Sequence, residues 1–101
     1  MATVRITYWR DIPVLVSARD GADEATVPLS PGFQDLIDRV AMQEGLVDSD
    51  DYLAGWRTGP PEARPGGAAA AAGALAAELE AGLDALRARH LRRAGAEPEV
   101  P

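Results

Sequence analysis

All five aromatic side chains of this chain, Tyr8, Trp9, Phe33, Tyr52 and Trp56, fall within its first 57 residues, and the remaining residues are largely Ala, Gly, Pro, Glu and Arg. Rings bury the most apolar area per residue, so a tertiary core is expected in the leading part, while the trailing part has to be stabilised locally. The expectation is a small α+β domain over residues 1–57, a Pro/Gly linker over 58–67, an Ala/Leu-rich amphipathic helix over 68–94 and a disordered tail over 95–101. A core of that size lies near the lower limit for a chain with no Cys to cross-link it.

Within the leading part, Val4, Ile6 and Tyr8 alternate with Thr3, Arg5 and Thr7, the period of a strand with one buried and one wet face. Arg10 and Asp11 interrupt the pattern. Residues 12–18 resume it with β-branched side chains, and Pro13, which has no amide hydrogen, requires that strand to start there or to lie at an edge. Turn chemistry over residues 19–23 includes Gly21, able to take positive φ, and Ala25, Val27 and Leu29 form a third alternating run. The simplest product is a three-stranded antiparallel meander.

Two short helices are expected to cover it. Ser30 and Pro31 mark a helix start, with the Ser side chain accepting orphan amide hydrogens, and Phe33, Leu36, Ile37, Val40 and Ala41 make one apolar stripe that Gly45 terminates. Asp48, Ser49, Asp50 and Asp51 then cap a second helix carrying Tyr52, Leu53 and Trp56. Beyond the prolines, Leu75, Leu79, Leu83 and Leu86 draw a narrow seam on the Ala-rich helix, in which Gly73 and Gly82 each cost about 1 kcal/mol relative to Ala. That seam can dock on the domain, pair with a second copy, or stay exposed; its residue types leave the three open.

Charge narrows the partners. There is no Lys, residues 1–57 hold five Arg against ten acidic side chains, and the net charge of −6 repels phosphate backbones and anionic lipid. Neither nucleic acid nor membrane is an expected partner. The one basic patch, Arg87, Arg89, Arg92 and Arg93, sits where it complements the negative end of a helix dipole. No leader-like or membrane-length apolar run is visible, so a cytoplasmic protein is the expectation.

Little in the chain points to a reaction. Asp48, Asp50 and Asp51 suggest a cation, but a calcium loop would place Gly at the sixth position and Glu at the twelfth, where Leu53 and Gly59 stand; helix capping explains the acids better, and no metal is expected. His90, the sole imidazole, has no triad-type or metal-type partner near it in sequence and is expected to be solvated. There is no Gly-rich phosphate loop, nucleophile elbow or thiolate. The expectation is a protein without catalytic residues or cofactor.

The remaining candidate is a binding group of Tyr8, Trp9, Arg10, Asp11, Trp56 and Arg57. If Val4, Ile6 and Tyr8 face the core, Trp9 points the other way, and a ring beside Arg and Asp at a strand end can form a recognition surface. The structural account competes with it: Trp9 can instead be covered by the second helix through Trp56, with Arg10 or Arg57 stacked on an indole and paired to Asp11.

These residues also carry a resemblance. Ile6, Thr7, Tyr8, Trp9, Arg10, Asp11, Ile12 and Pro13, then Phe33 and Gln34, Ile37, Asp38 and Arg39, Ala41 and Met42, Gly45 and Leu46, and Asp51, Tyr52 and Leu53 ahead of Trp56 and Arg57, resemble the small bacterial "virulence factor" domain. The resemblance covers about the first 57 residues and leaves the Ala-rich part outside it. It brings no assigned catalytic residues to carry over, and it implies an accessory to folate-linked and corrinoid-linked methyl-transfer enzymes of one-carbon metabolism.

Two functions are expected. One is a non-catalytic interaction module that binds a partner protein through the Trp9 and Arg10 edge or through the leucine seam, with self-association through that seam as a variant. The other is a small-ligand binder or minor enzyme in which Arg10 and Arg57 hold a carboxylate and Asp11 acts as a base.

Overall fold

The computed structural model describes residues 1–46 and 49–95, with side chains through residue 90. Asp48 of the expected acidic cap and residues 96–101 of the expected tail lie outside the described residues. The fold is α+β, an antiparallel sheet with four helices.

The meander forms as its alternation dictates. β1 (Ala2–Trp9), β2 (Ile12–Asp20) and β3 (Asp23–Pro28) are consecutive antiparallel strands. Gly21, in the turn between β2 and β3, adopts φ of 65°, the conformation that glycine takes without steric cost. Pro13 sits beside the start of β2, facing Tyr8, and the register then slips so that Thr7 faces Leu15. Val14 is left as a bulge, and its carbonyl accepts from the Leu29 amide at 2.9 Å.

Residues 58–67 are not a linker. β4 (Trp56–Thr58) pairs with Thr7, Tyr8 and Trp9, and β5 (Glu62–Arg64) pairs with Ala2, Thr3 and Val4, so both extend the sheet along β1. The strand order is β3-β2-β1-β4, with β5 also on β1, five strands in place of three. The prolines do not prevent this because Pro60 and Pro61 fall between the two short strands and Pro65 follows the second. Gly59 holds the connection against the sheet, its amide 2.8 Å from the Ile6 carbonyl, where a Cβ would stand 2.9 Å from the Tyr8 ring.

α1 (Pro31–Gln43) buries the expected stripe of Phe33, Leu36, Ile37, Val40 and Ala41. It ends as expected at Gly45, with φ of 70°, and the Leu46 amide reaches back 2.8 Å to the Ala41 carbonyl. Its start differs from expectation, since Ser30 occupies the cap position but makes no capping hydrogen bond with its side chain. α2 (Asp50–Ala54) is shorter than expected: Ser49 caps it by accepting from the Tyr52 amide at 3.2 Å, Gly55 ends it, and Trp56 turns away into β4.

The Ala-rich segment is two helices, α3 (Ala68–Ala81) and α4 (Leu83–Gly95), parted at Gly82, where low helix propensity permits the break. α3 lies across β1, β2 and β3 and buries Ala68, Ala71, Ala72, Leu75 and Ala76 in the same core as Val4, Val16 and Phe33. The part expected to be stabilised locally is therefore part of the core. Methyl-sized side chains compensate for their small area by letting the helix lie close to the sheet. α4 packs on α1, and Leu83 approaches Gly32 so closely that a Cβ there would lie 2.7 Å from it. Leu79, Leu83 and Leu86 are partly buried on the same core, so the seam is docked on the chain itself.

Candidate functional site

The register brings the six expected site residues to one end of the sheet. Trp9 faces Trp56 and Tyr8 faces Arg57 across β1 and β4, while Arg10 and Asp11 form the turn into β2. Trp9 is out of phase with Val4, as its alternation requires, yet it is fully buried because α2 lies over it. Its indole N–H donates to the Tyr52 carbonyl at 2.7 Å, and the two rings are tilted at 5.6 Å. Tyr52 meets Trp56 edge-on at 6.1 Å. Of the two readings the structural one holds, since Trp9 is covered by α2, although through Tyr52 and not through Trp56.

The arginines hold this end from outside. Arg10 stacks over Trp9 at 4.7 Å and pairs with Glu44 at 2.7 Å; Arg57 stacks over Tyr8 at 4.4 Å and donates from Nε to the Arg10 carbonyl at 2.9 Å. The expected partner of this pair, Asp11, instead accepts from Arg89 of α4 at 2.8 Å. His90, expected in solvent, has a side chain only 15% exposed, with Nε2 3.0 Å from Asp11 Oδ1 but without hydrogen-bond alignment. The contact is an ion pair only when the imidazole is protonated.

Arg10 is also the one described residue other than glycine with positive φ, 58°. The left-handed region costs an L-residue roughly 1–2 kcal/mol, and it is held here by the Arg10 amide on the Gly55 carbonyl at 2.7 Å. This end is thus a closed clamp in which side chains that could take a ligand already hold one another. Glu44, Tyr52, Gly55, Arg89 and His90 complete it. None was legible as a member, because pairing across 34 to 78 positions leaves no local pattern.

A second surface lies beside it. Asp38, Ala41, Met42, Ser49, Asp50, Tyr52 and Leu53 line a groove of about 780 Å³ between α1 and α2. Met42 is 69% exposed and Leu53 65%, and with Met1 they are the large apolar side chains left in solvent among the described residues. The available signal was that Met42 falls off the apolar stripe of α1, where a solvent-facing helix position normally carries a polar residue.

Among the described residues no helix is long and apolar enough to cross a membrane, and no three His, Cys, Asp or Glu converge as metal ligands. No curated protein and no solved structure matches the chain. The virulence factor family model matches residues 7–91, running through the prolines and the Ala-rich helices as well as the expected part, as it must if the sheet and α3 share one core; the chain belongs to the virulence factor family.

Proposed function

We propose that this virulence factor domain is a non-catalytic interaction module, a cytoplasmic accessory to the folate-linked and corrinoid-linked methyl-transfer enzymes that the family resemblance implies. The observation that carries the reading is the groove between α1 and α2, which Met42 and Leu53 both line while standing in solvent. Exposed large apolar side chains gathered at one place mark a docking surface more often than scattered ones do. Asp38 and Asp50 line the same groove, so the fitting partner is a protein segment that offers apolar side chains flanked by Lys or Arg.

The test is a comparison of tagged full-length protein with the double variant Met42→Ser, Leu53→Ser, each recovered from the native host with its bound proteins. Enrichment of a methyl-transfer enzyme by the parent, lost in a variant with unchanged melting temperature, is the expected result. Equal recovery by both would remove the groove from the interface.

The carboxylate-binding alternative on Arg10, Asp11 and Arg57 has less support. The three residues do meet, but Glu44 occupies Arg10 and Arg89 occupies Asp11, so a ligand would have to displace both. A thermal-shift series with folate and small carboxylates tests it: a raised midpoint that Arg57→Ala abolishes would favour this reading.

A further inference from the structure

The sheet face turned away from α3 carries a regular array that neither the clamp nor the groove uses. Facing residues of an antiparallel pair project from the same side. The register therefore sets Thr3, Arg19 and Glu24 in one row and Arg5, Ser17 and Thr26 in the next. All six line a recess of about 480 Å³. Arg5 and Arg19 occupy one diagonal of a two-by-two block, and Thr3 and Ser17 the other.

Diagonal neighbours in such a ladder stand roughly 7–8 Å apart, so two guanidinium arms can close on one small anion from opposite sides. Arg19 is held by Glu24 at 2.6 Å. Arg5 is exposed, and its side chain has no hydrogen bond or ion pair to another described residue. An unengaged arginine at the centre of a sheet, with hydroxyls on its own strand and on the facing one, has the donors that an oxyanion accepts from.

We propose that this recess binds a small phosphate ester, with Arg5 as the principal ligand, Arg19 as the second, and the hydroxyls of Thr3, Ser17 and Thr26 donating around them. Two guanidinium forks and three hydroxyls offer more donors than the two oxygens of a carboxylate can accept, and they suit the terminal oxygens of a tetrahedral phosphate. Glu24 is a built-in competitor, since its carboxylate holds Arg19 until the ligand displaces it. The net charge of −6 disfavours a polymeric phosphate backbone and leaves a small ester as the fitting ligand.

The experiment titrates isotope-labelled full-length protein with inorganic phosphate and with O-phosphoserine, using acetate at matched ionic strength as control, and follows backbone amide and arginine Nε shifts. Saturable changes centred on Thr3, Arg5, Ser17 and Arg19 are expected with both phosphate probes and not with acetate. Arg5→Gln is expected to weaken binding about tenfold or more, the equivalent of one lost charge-assisted hydrogen bond. Glu24→Gln is expected to tighten it by freeing Arg19. Both positions are exposed, so neither variant should disturb the fold. No saturable response to either phosphate probe, an equal response to acetate, or unchanged affinity in Arg5→Gln would overturn the assignment.

Discussion

Ser30 and Glu80, fifty positions apart, are joined by two hydrogen bonds: the Ser30 amide donates to Glu80 Oε2 at 2.6 Å and its hydroxyl donates to Oε1 at 2.8 Å. Ser30 precedes α1, so the carboxylate at the end of α3 sits against the positive end of the α1 dipole and does the capping that the serine side chain does not. The contact ties the Ala-rich helix to the first helix at their facing ends.

Glu80→Ala is accordingly expected to cost about 1.5–3 kcal/mol, the range for hydrogen bonds to a charged group. Glu80→Gln should cost distinctly less, because its amide oxygen still accepts from the Ser30 N–H and its NH₂ group can donate to the hydroxyl. Equilibrium urea unfolding of both variants measures the difference, and equal losses would mean that charge and not hydrogen bonding carries the contact.

The fit of Trp9 under α2 makes a paired prediction about two glycines. A Cβ on Gly55 would lie 2.6 Å from the buried indole Nε1, so Gly55→Ala should destabilise by about 1–3 kcal/mol. Gly73, inside α3, has nothing within 4 Å, and Gly73→Ala should stabilise by about 1 kcal/mol through helix propensity alone. Trp9→Ala removes the ring itself and should cost about 3–5 kcal/mol. Thermal and chemical denaturation of the three variants give the ordering.

Strain at Arg10 can be separated from the work of its side chain. Arg10→Ala and Arg10→Gly both remove the stack on Trp9 and the pair with Glu44, but only glycine relieves the positive φ. After the extra unfolded-state entropy of glycine, the Gly variant should be the more stable of the two by about 1 kcal/mol. An Ala variant as stable as the Gly variant would show that the turn relaxes out of the left-handed region.

Residues 1–57 alone should not fold. Without α3 the core loses Ala68, Ala71, Ala72, Leu75 and Ala76, and β1 loses β5 and the last residue of β4 as neighbours. The fragment is expected to show no cooperative unfolding transition by circular dichroism; a sigmoidal melt would restore the division of the chain that its aromatic distribution suggests.

Strand and helix content was legible where side chains repeat at a local period. The alternation of Val4, Ile6 and Tyr8, the turn at Gly21, and the stripe from Phe33 to Ala41 ending at Gly45 all appear where their patterns place them. The strands β4 and β5 were not legible, since three residues each among prolines carry no periodicity and are strands only because β1 offers an edge to pair with. The candidate end was legible as a set of residue types. Its state was not: the indole, which the residues left either open or covered, lies under Tyr52, and Asp11 turned to Arg89 and not to a neighbouring arginine.

Sequence by itself determined the α+β character, the meander, the C-terminal end of α1 and the family, because these depend on side-chain period, turn conformers and residue order, all of which are local. Only the tertiary structure decided that the Ala-rich segment is core, that it breaks at Gly82 to lay α4 on α1, and which surfaces stay open. Alanine carries too little apolar area for its burial to be visible in composition, and whether a methyl-lined helix is arm or core is set by how closely another part of the chain lets it approach.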